Sequence, residues 1–143
     1  EHYHLDASKP VVYEGQQLVV REVVKQFADK IITHDKAYAP FTVEGIEMRS
    51  LDKRFAFDDN HNTVMLGGII DRIDRINDKV RIIDYKTGND DLLFESMEKL
   101  FTPGEKTKKA LFQTLYYALM YHLSYPDSVI NAGIYSRKVL FGN

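Results

Sequence analysis

From Gly15 to about His34, apolar residues recur at three- and four-residue steps (Leu18, Val19, Val23, Val24, Phe27, Ile31, Ile32), which predicts an amphipathic helix. The pattern then changes to that of strands. Phe41–Met48 and Lys53–Phe57 read as two strands, the polar run Asp58-Asp59-Asn60-His61-Asn62 as a turn, and Thr63–Ile76 as a third strand. Asn77-Asp78-Lys79 is a tight turn into a fourth strand, Val80–Lys86, so residues 41–86 form an antiparallel meander. Beyond Gly88 the pattern predicts a short helix over Leu92–Leu100, a lysine-rich loop from Thr102 to Lys109, and a helix over 108–123 that Tyr125-Pro126 stops. A last strand runs over 128–139, while residues 1–14, polar and interrupted by Pro10, read as a loosely structured entry segment. Helix, strands, helix, strand in that order predicts an α/β (α+β) fold, a central mixed and largely antiparallel sheet flanked by helices.

Composition narrows the picture. A chain of 143 residues with 44% hydrophobic residues is one domain, 1–143, able to bury a core unaided. It has no cysteine, which excludes a disulfide framework and any Cys-ligated zinc or iron–sulfur cluster, and fits a cytoplasmic location. No apolar run approaches the roughly 20 residues of a membrane span, the start carries no signal-peptide pattern, and no internal repeat is present. The formal net charge of −2 argues against coating nucleic acid by bulk electrostatics, so any such contact is local.

The informative feature is a pair of acids thirteen residues apart. Asp71 lies in Gly68-Ile69-Ile70-Asp71-Arg72-Ile73-Asp74, and Asp84 in Ile82-Ile83-Asp84-Tyr85-Lys86-Thr87-Gly88. Asp84 and Lys86 are two apart and share a strand face, which is costly if buried unless the groups pair or bind an ion. Taken alone, an acid and a lysine at a strand end are most often a surface ion pair. Here Asp71 sits inside an apolar strand after Gly67-Gly68, where missing side chains let another group come close, and the short turn brings the two strands' charges into one cluster. Asp71 and Asp74 differ by three and point to opposite faces of a regular strand. Asp71 is the one assigned to the cluster, with Arg72 and Asp74 on the solvent side in ion pairs and Arg75 displaced. Contact of Arg72 or Arg75 with DNA phosphate is the lesser reading.

On the late helix Gln113 and Tyr117 are four apart and share a face, so the Gln113 amide either meets a polar partner near the cluster or is exposed. Glu44 and Glu47 point to opposite faces of the first strand, and one of them, Glu47, is a further carboxylate candidate. The five histidines have no zinc-site spacing. Lys106, Lys108 and Lys109 flank a loop that can track a phosphate backbone, although a solvated loop explains them as well.

Together Gly68-x-x-Asp71-Arg72-x-Asp74, Ile83-Asp84-Tyr85-Lys86-Thr87-Gly88 and Gln113-x-x-x-Tyr117 resemble the motifs of the PD-(D/E)XK nuclease superfamily, in the family's order. More narrowly they resemble its RecB/AddB-like branch, the C-terminal nuclease domains of helicase–nuclease proteins. The resemblance implies a restriction-endonuclease-like core and a DNA nuclease, in all expectation an exonuclease of double-strand-break repair, partnered by a helicase domain or subunit. It implies that Asp71, Asp84 and the peptide carbonyl of Tyr85 bind Mg²⁺ or Mn²⁺. It also implies that Lys86 acts on the attacking water and scissile phosphate, and that Gln113 and Tyr117 line the site. Relatives of this branch carry a histidine on an upstream helix, which residues 1–40 do not match, so it is expected before Glu1, and residues 1–143 without it are expected to bind metal weakly and to cleave DNA weakly or not at all; no iron–sulfur cluster is expected. The rival readings are an inactive nuclease fold that binds DNA ends or subunits, and a stand-alone restriction-type endonuclease.

Overall fold

The computed structural model describes residues 12–56, 59, 62–88, 92–93, 96–100, 102 and 108–142, with the backbone alone for 50–53. Most of the expected entry segment, Lys106, and residues 58, 60 and 61 of the predicted turn lie outside the described residues.

Helix α1 covers Gln16–Tyr38, strand β1 Thr42–Ala56, β2 Thr63–Ile76 and β3 Lys79–Lys86. Helix α2 is Met97–Leu100, α3 Lys109–Ser124, strand β4 Val129–Ser136 and helix α4 Arg137–Phe141. The strands form one sheet in the order β1-β2-β3-β4, antiparallel except for the parallel β3–β4 pair. This is the mixed, mostly antiparallel sheet flanked by helices that the pattern predicts.

Four boundaries differ from the sequence reading. Helix α1, expected to end near His34, runs on to Tyr38, so Asp35 is helical. The two strands expected at 41–48 and 53–57 are one strand, β1, because its pairing to β2 runs on through register shifts at Val43/Gly45 and Ser50/Lys53. A bulge absorbs an extra residue without ending the ladder. The helix expected over Leu92–Leu100 is a single turn at Met97–Leu100 among the described residues. The last strand stops at Ser136, whose side-chain oxygen accepts from the Val139 amide at 3.1 Å and so caps α4.

The two faces of the sheet are built differently. Under α3, the side chains of Ile70, Ile73, Val80, Ile82, Tyr117 and Tyr121 form the apolar core. The alternation of β3 accounts for this: Val80, Ile82 and Asp84 face α3, whereas Arg81, Ile83 and Tyr85 face the other way. The opposite face lies under the C-terminal half of α1 and is charged. Asp74, fully buried, is gripped by Arg81 Nε at 2.6 Å and Nη2 at 2.7 Å and by Arg72 Nη2 at 2.7 Å. Asp35 of α1 closes the cluster, accepting from Arg72 Nη1 at 2.6 Å and from the Tyr135 hydroxyl at 2.8 Å. Arg81 also lies 3.5 Å over the Tyr38 ring. Arg72 and Asp74 are therefore not on a solvent face, as their position in an alternating strand led one to expect: α1 covers them and contributes the missing counter-charge.

Candidate active site

The site lies where β2 and β3 part. Their ladder runs from Ile76↔Lys79 to Arg72↔Ile83 and ends there. One residue further on, the Asp71 carboxylate takes the place of a ladder acceptor, receiving the Tyr85 amide at 2.8 Å. An acid thereby holds open the end of the hairpin, on the peptide that follows Asp84.

A break in alternation lets Asp71 do this. Ile70 and Ile73 are both in the core under α3, although residues three apart on a regular strand face opposite ways. Between them Arg72 faces α1. The partner strand is irregular at the same level: Ile46 lines a hollow with Asp35, Phe41, Asp71, Arg72 and Tyr85, while Met48 packs on the core. Glu47, between them, has φ +48°. Its register neighbours Ile46↔Arg72 and Met48↔Ile70 place it across from Asp71, with an exposed side chain.

Asp84 and Lys86 share the α3 face as their spacing requires. The Lys86 amine lies 3.0 Å from Asp84 Oδ1 and 2.8 Å from Oδ2, and the carboxylate is almost wholly buried. Lys86 also donates to Gln113 Oε1 at 2.9 Å. Because an ammonium has no acceptor, this contact fixes the amide's orientation, and Gln113 Nε2 donates in turn to the Tyr117 hydroxyl at 3.1 Å. Of the two readings of Gln113, the structure shows the polar contact. Asp84, Lys86, Gln113 and Tyr117 thus form one continuous chain, with Asp71 joined to it through the Tyr85 amide.

The expected DNA contacts fare unequally. Arg72 is committed to Asp35, Asp74 and the Tyr85 hydroxyl (3.2 Å) and is buried, which removes it as a phosphate contact. Arg75 pairs with Glu44 on β1, with both side chains about a third exposed. Lys108 is half-buried just before α3, and Lys109, its first residue, is exposed. Sequence reasoning missed Asp35, Arg81 and Tyr135; the Tyr135 ring packs 5.7 Å from that of Tyr85, and Asp35 lines the same hollow as Tyr85. The signal was Arg81, a charge inside an otherwise apolar strand that needs a buried partner.

Among the described residues no group of three or more His, Asp or Glu side chains gathers as a metal site. The donors available are the carboxylates of Asp71 and Asp84 and the Tyr85 carbonyl. As hard oxygens they are of the type that suits a cation such as Mg²⁺, but Asp71 lines the hollow with Asp35, Phe41 and Tyr85 on the α1 side, whereas Asp84 lies on the α3 face with Lys86. Lys86 pairs with both Asp84 oxygens, so a cation bound to Asp84 would have to share or displace the ammonium.

The mixed, mostly antiparallel sheet flanked by helices is consistent with a restriction-endonuclease-like fold. The family model of the PD-(D/E)XK nuclease superfamily matches residues 3–138, and the chain belongs to that superfamily. Its members are generally metal-dependent nucleases, so a nuclease-type function follows. Comparison with curated proteins and with solved structures finds no match.

Proposed function

We propose that this domain is a divalent-metal-dependent DNA nuclease of the RecB/AddB-like branch. It hydrolyses phosphodiesters as the exonuclease of a double-strand-break repair machine, alongside a helicase domain or subunit. The observation that carries the hydrolytic part is the Asp84–Lys86–Gln113 contact set beside the Asp71 carboxylate at the parted end of β2 and β3. A binding module has no chemical need for a buried acid and an amine held together at a hairpin mouth. The branch, the repair role and the helicase partner rest on the order and wording of the three motifs alone.

Asp71, Asp84 and the Tyr85 carbonyl would hold Mg²⁺ or Mn²⁺, which when bound supplies a more acidic water and offsets charge on the phosphate. The remaining work falls to the chain. Lys86, which pairs with Asp84 in the metal-free site, would place its ammonium at a phosphate oxygen, where a point charge stabilises developing negative charge. Gln113 keeps that ammonium from swinging away, and the buried Tyr117 keeps Gln113 in place. The Arg72 bond to the Tyr85 hydroxyl steadies the residue whose carbonyl would join the cation's ligands.

The test is cleavage of end-labelled linear duplex and single-stranded DNA with Mg²⁺ or Mn²⁺, with EDTA as control. The wild type should cleave in metal only. Asp84→Ala should abolish cleavage and weaken cation binding by calorimetry, whereas Lys86→Ala should lower cleavage by roughly 100-fold or more while leaving cation binding intact. A wild type that binds DNA ends but cuts no substrate would replace the hydrolase with the binding module.

A further inference from the structure

A lysine at a strand end carries a flexible four-carbon stem, so an amine that must act at one point has to be held there. On β3 the hold is Gln113, and Gln113 is itself held by the hydroxyl of Tyr117, one turn along α3. What holds Tyr117 is a glycine. The ring lies against Gly68 of β2 so closely that a methyl group there would stand 2.7 Å from Cε1, 3.0 Å from the hydroxyl oxygen and 3.2 Å from Cζ.

Backbone conformation does not require glycine at this position, since Gly68 is not among the positive-φ residues. An interior strand glycine also costs about 0.5–1 kcal/mol relative to alanine. The contact is the reason it is bare. Next to it, the Tyr116 hydroxyl donates to the Gly67 carbonyl at 3.1 Å, fastening α3 to β2 at the same level. Tyr117 is buried, with 8% of its surface exposed, and is walled in by the core. It has little room to retreat from an added methyl.

The geometry points to Gly68 as a positioning residue: its bare backbone is the seat that sets the Tyr117 ring, and through Tyr117 and Gln113 it sets the place at which the Lys86 amine is held. The link from Gly68 to Gln113 stands on packing alone; its effect on cleavage rests on the nuclease reading above.

Two readouts separate these parts. In ¹⁵N-edited NMR spectra, Gly68→Ala should move the Gln113 side-chain amide resonances. In the cleavage assay it should lower kcat by about tenfold or more with little change in KM for DNA, as small misplacements of an acting group do. Tyr117→Ala removes the ring that the methyl strikes, so in that background Gly68→Ala should cause no further loss, and the double-mutant cycle should show strong coupling. Independent, additive losses would overturn the inference, as would a folded Gly68→Ala protein with Gln113 resonances and kcat unchanged. If Gly68→Ala does not fold, the Gly68→Ala/Tyr117→Ala protein should, and its failure to fold would refute the steric account. Tyr117→Phe keeps the ring on its seat and removes the hydroxyl, so Gln113 must shift there too. A wild type inert on all DNA would sink the nuclease reading but leave the Gln113 resonances to decide the seat.

Discussion

Asp35 of α1 and Tyr135 of β4 show how single residues are tuned where α1 meets the sheet. Burial pushes the Asp35 carboxyl up, but hydrogen bonds from Arg72 and Tyr135 and the charges of Arg72 and Arg81 outweigh it and leave the group below the usual carboxylate range. A carboxyl depressed on folding contributes stability that is present above its unfolded pKa of about 4 and is lost as pH falls through the lower folded value. Tyr135 moves the other way. Burial first, then its bond to the Asp35 carboxylate, pushes its hydroxyl up to about 12. Its contribution is present below the unfolded pKa of about 10 and is lost as pH climbs toward the folded value. Urea unfolding across pH should therefore show Asp35→Asn with a flatter acid limb below about pH 4, and Tyr135→Phe with a flatter alkaline limb above about pH 10. Unaltered limbs in both variants would mean that neither group is linked to folding as described. At this scale the sequence showed that Asp84 and Lys86 share a face, since two residues apart on a strand admits no other answer. Asp74 and Arg72 were misplaced because parity on one strand cannot reveal that α1 brings Asp35 over them.

At the scale of elements, β1 and β2 hold the site through an irregularity that they share. Ile46 and Met48 turn to opposite faces although two apart, and the φ of +48° at Glu47 is what turns them. A side chain in left-handed backbone costs about 1–2 kcal/mol, and glycine there costs far less. Glu47→Gly should accordingly leave stability unchanged or raise it by up to about 1 kcal/mol, read as the midpoint of denaturant unfolding, despite the loss of a strand side chain. If Glu47 also serves the cation across from Asp71, the same variant should bind metal more weakly while unfolding later. A marked loss of stability would show that the turn in the chain at Glu47 is not strained. Two strands were expected where β1 is continuous, because the mainly polar stretch from Arg49 to Lys53, with Leu51 its one apolar residue, breaks the apolar pattern. Backbone pairing to β2 needs no buried side chain, so it continues where the pattern fails.

Across the whole molecule the two faces should differ in stability. The α3 face is apolar and packed, with Ile73, Val80, Ile82 and Met120 fully buried. Helix α1 contains no buried residue and is fastened by the Asp35 cluster and by the stacking of Phe27 on Phe141 of α4, with centroids 6.5 Å apart. Its Val19, Val20, Val23 and Val24 are more than half exposed. Amides of β3 and α3 should consequently exchange with solvent only near the global unfolding free energy, whereas α1 amides should exchange through local opening several-fold sooner or more. Uniform protection along the chain would contradict this division. No helix is long and apolar enough to cross a membrane among the described residues.

The sequence by itself determined the first helix from residue 16 to about 34 but not its last turn, strands β2 and β3 almost to the residue, the helix α3, and the grouping of Asp84 with Lys86 and of Gln113 with Tyr117. Each follows from a period of 3.6 or 2 acting within one element, or from turn residues between neighbours. The ordered motifs also carried the family, which the match over residues 3–138 bears out. Tertiary structure alone decided that Lys86 meets Gln113, that Arg72 is buried rather than free for phosphate, and that Tyr117 rests on Gly68. These contacts join residues 27 to 49 positions apart or depend on a helix laid over a strand face, and no local period encodes which elements stack. Whether a charge is exposed or paired is a property of what covers it, and the covering element is chosen by the packing of the whole sheet.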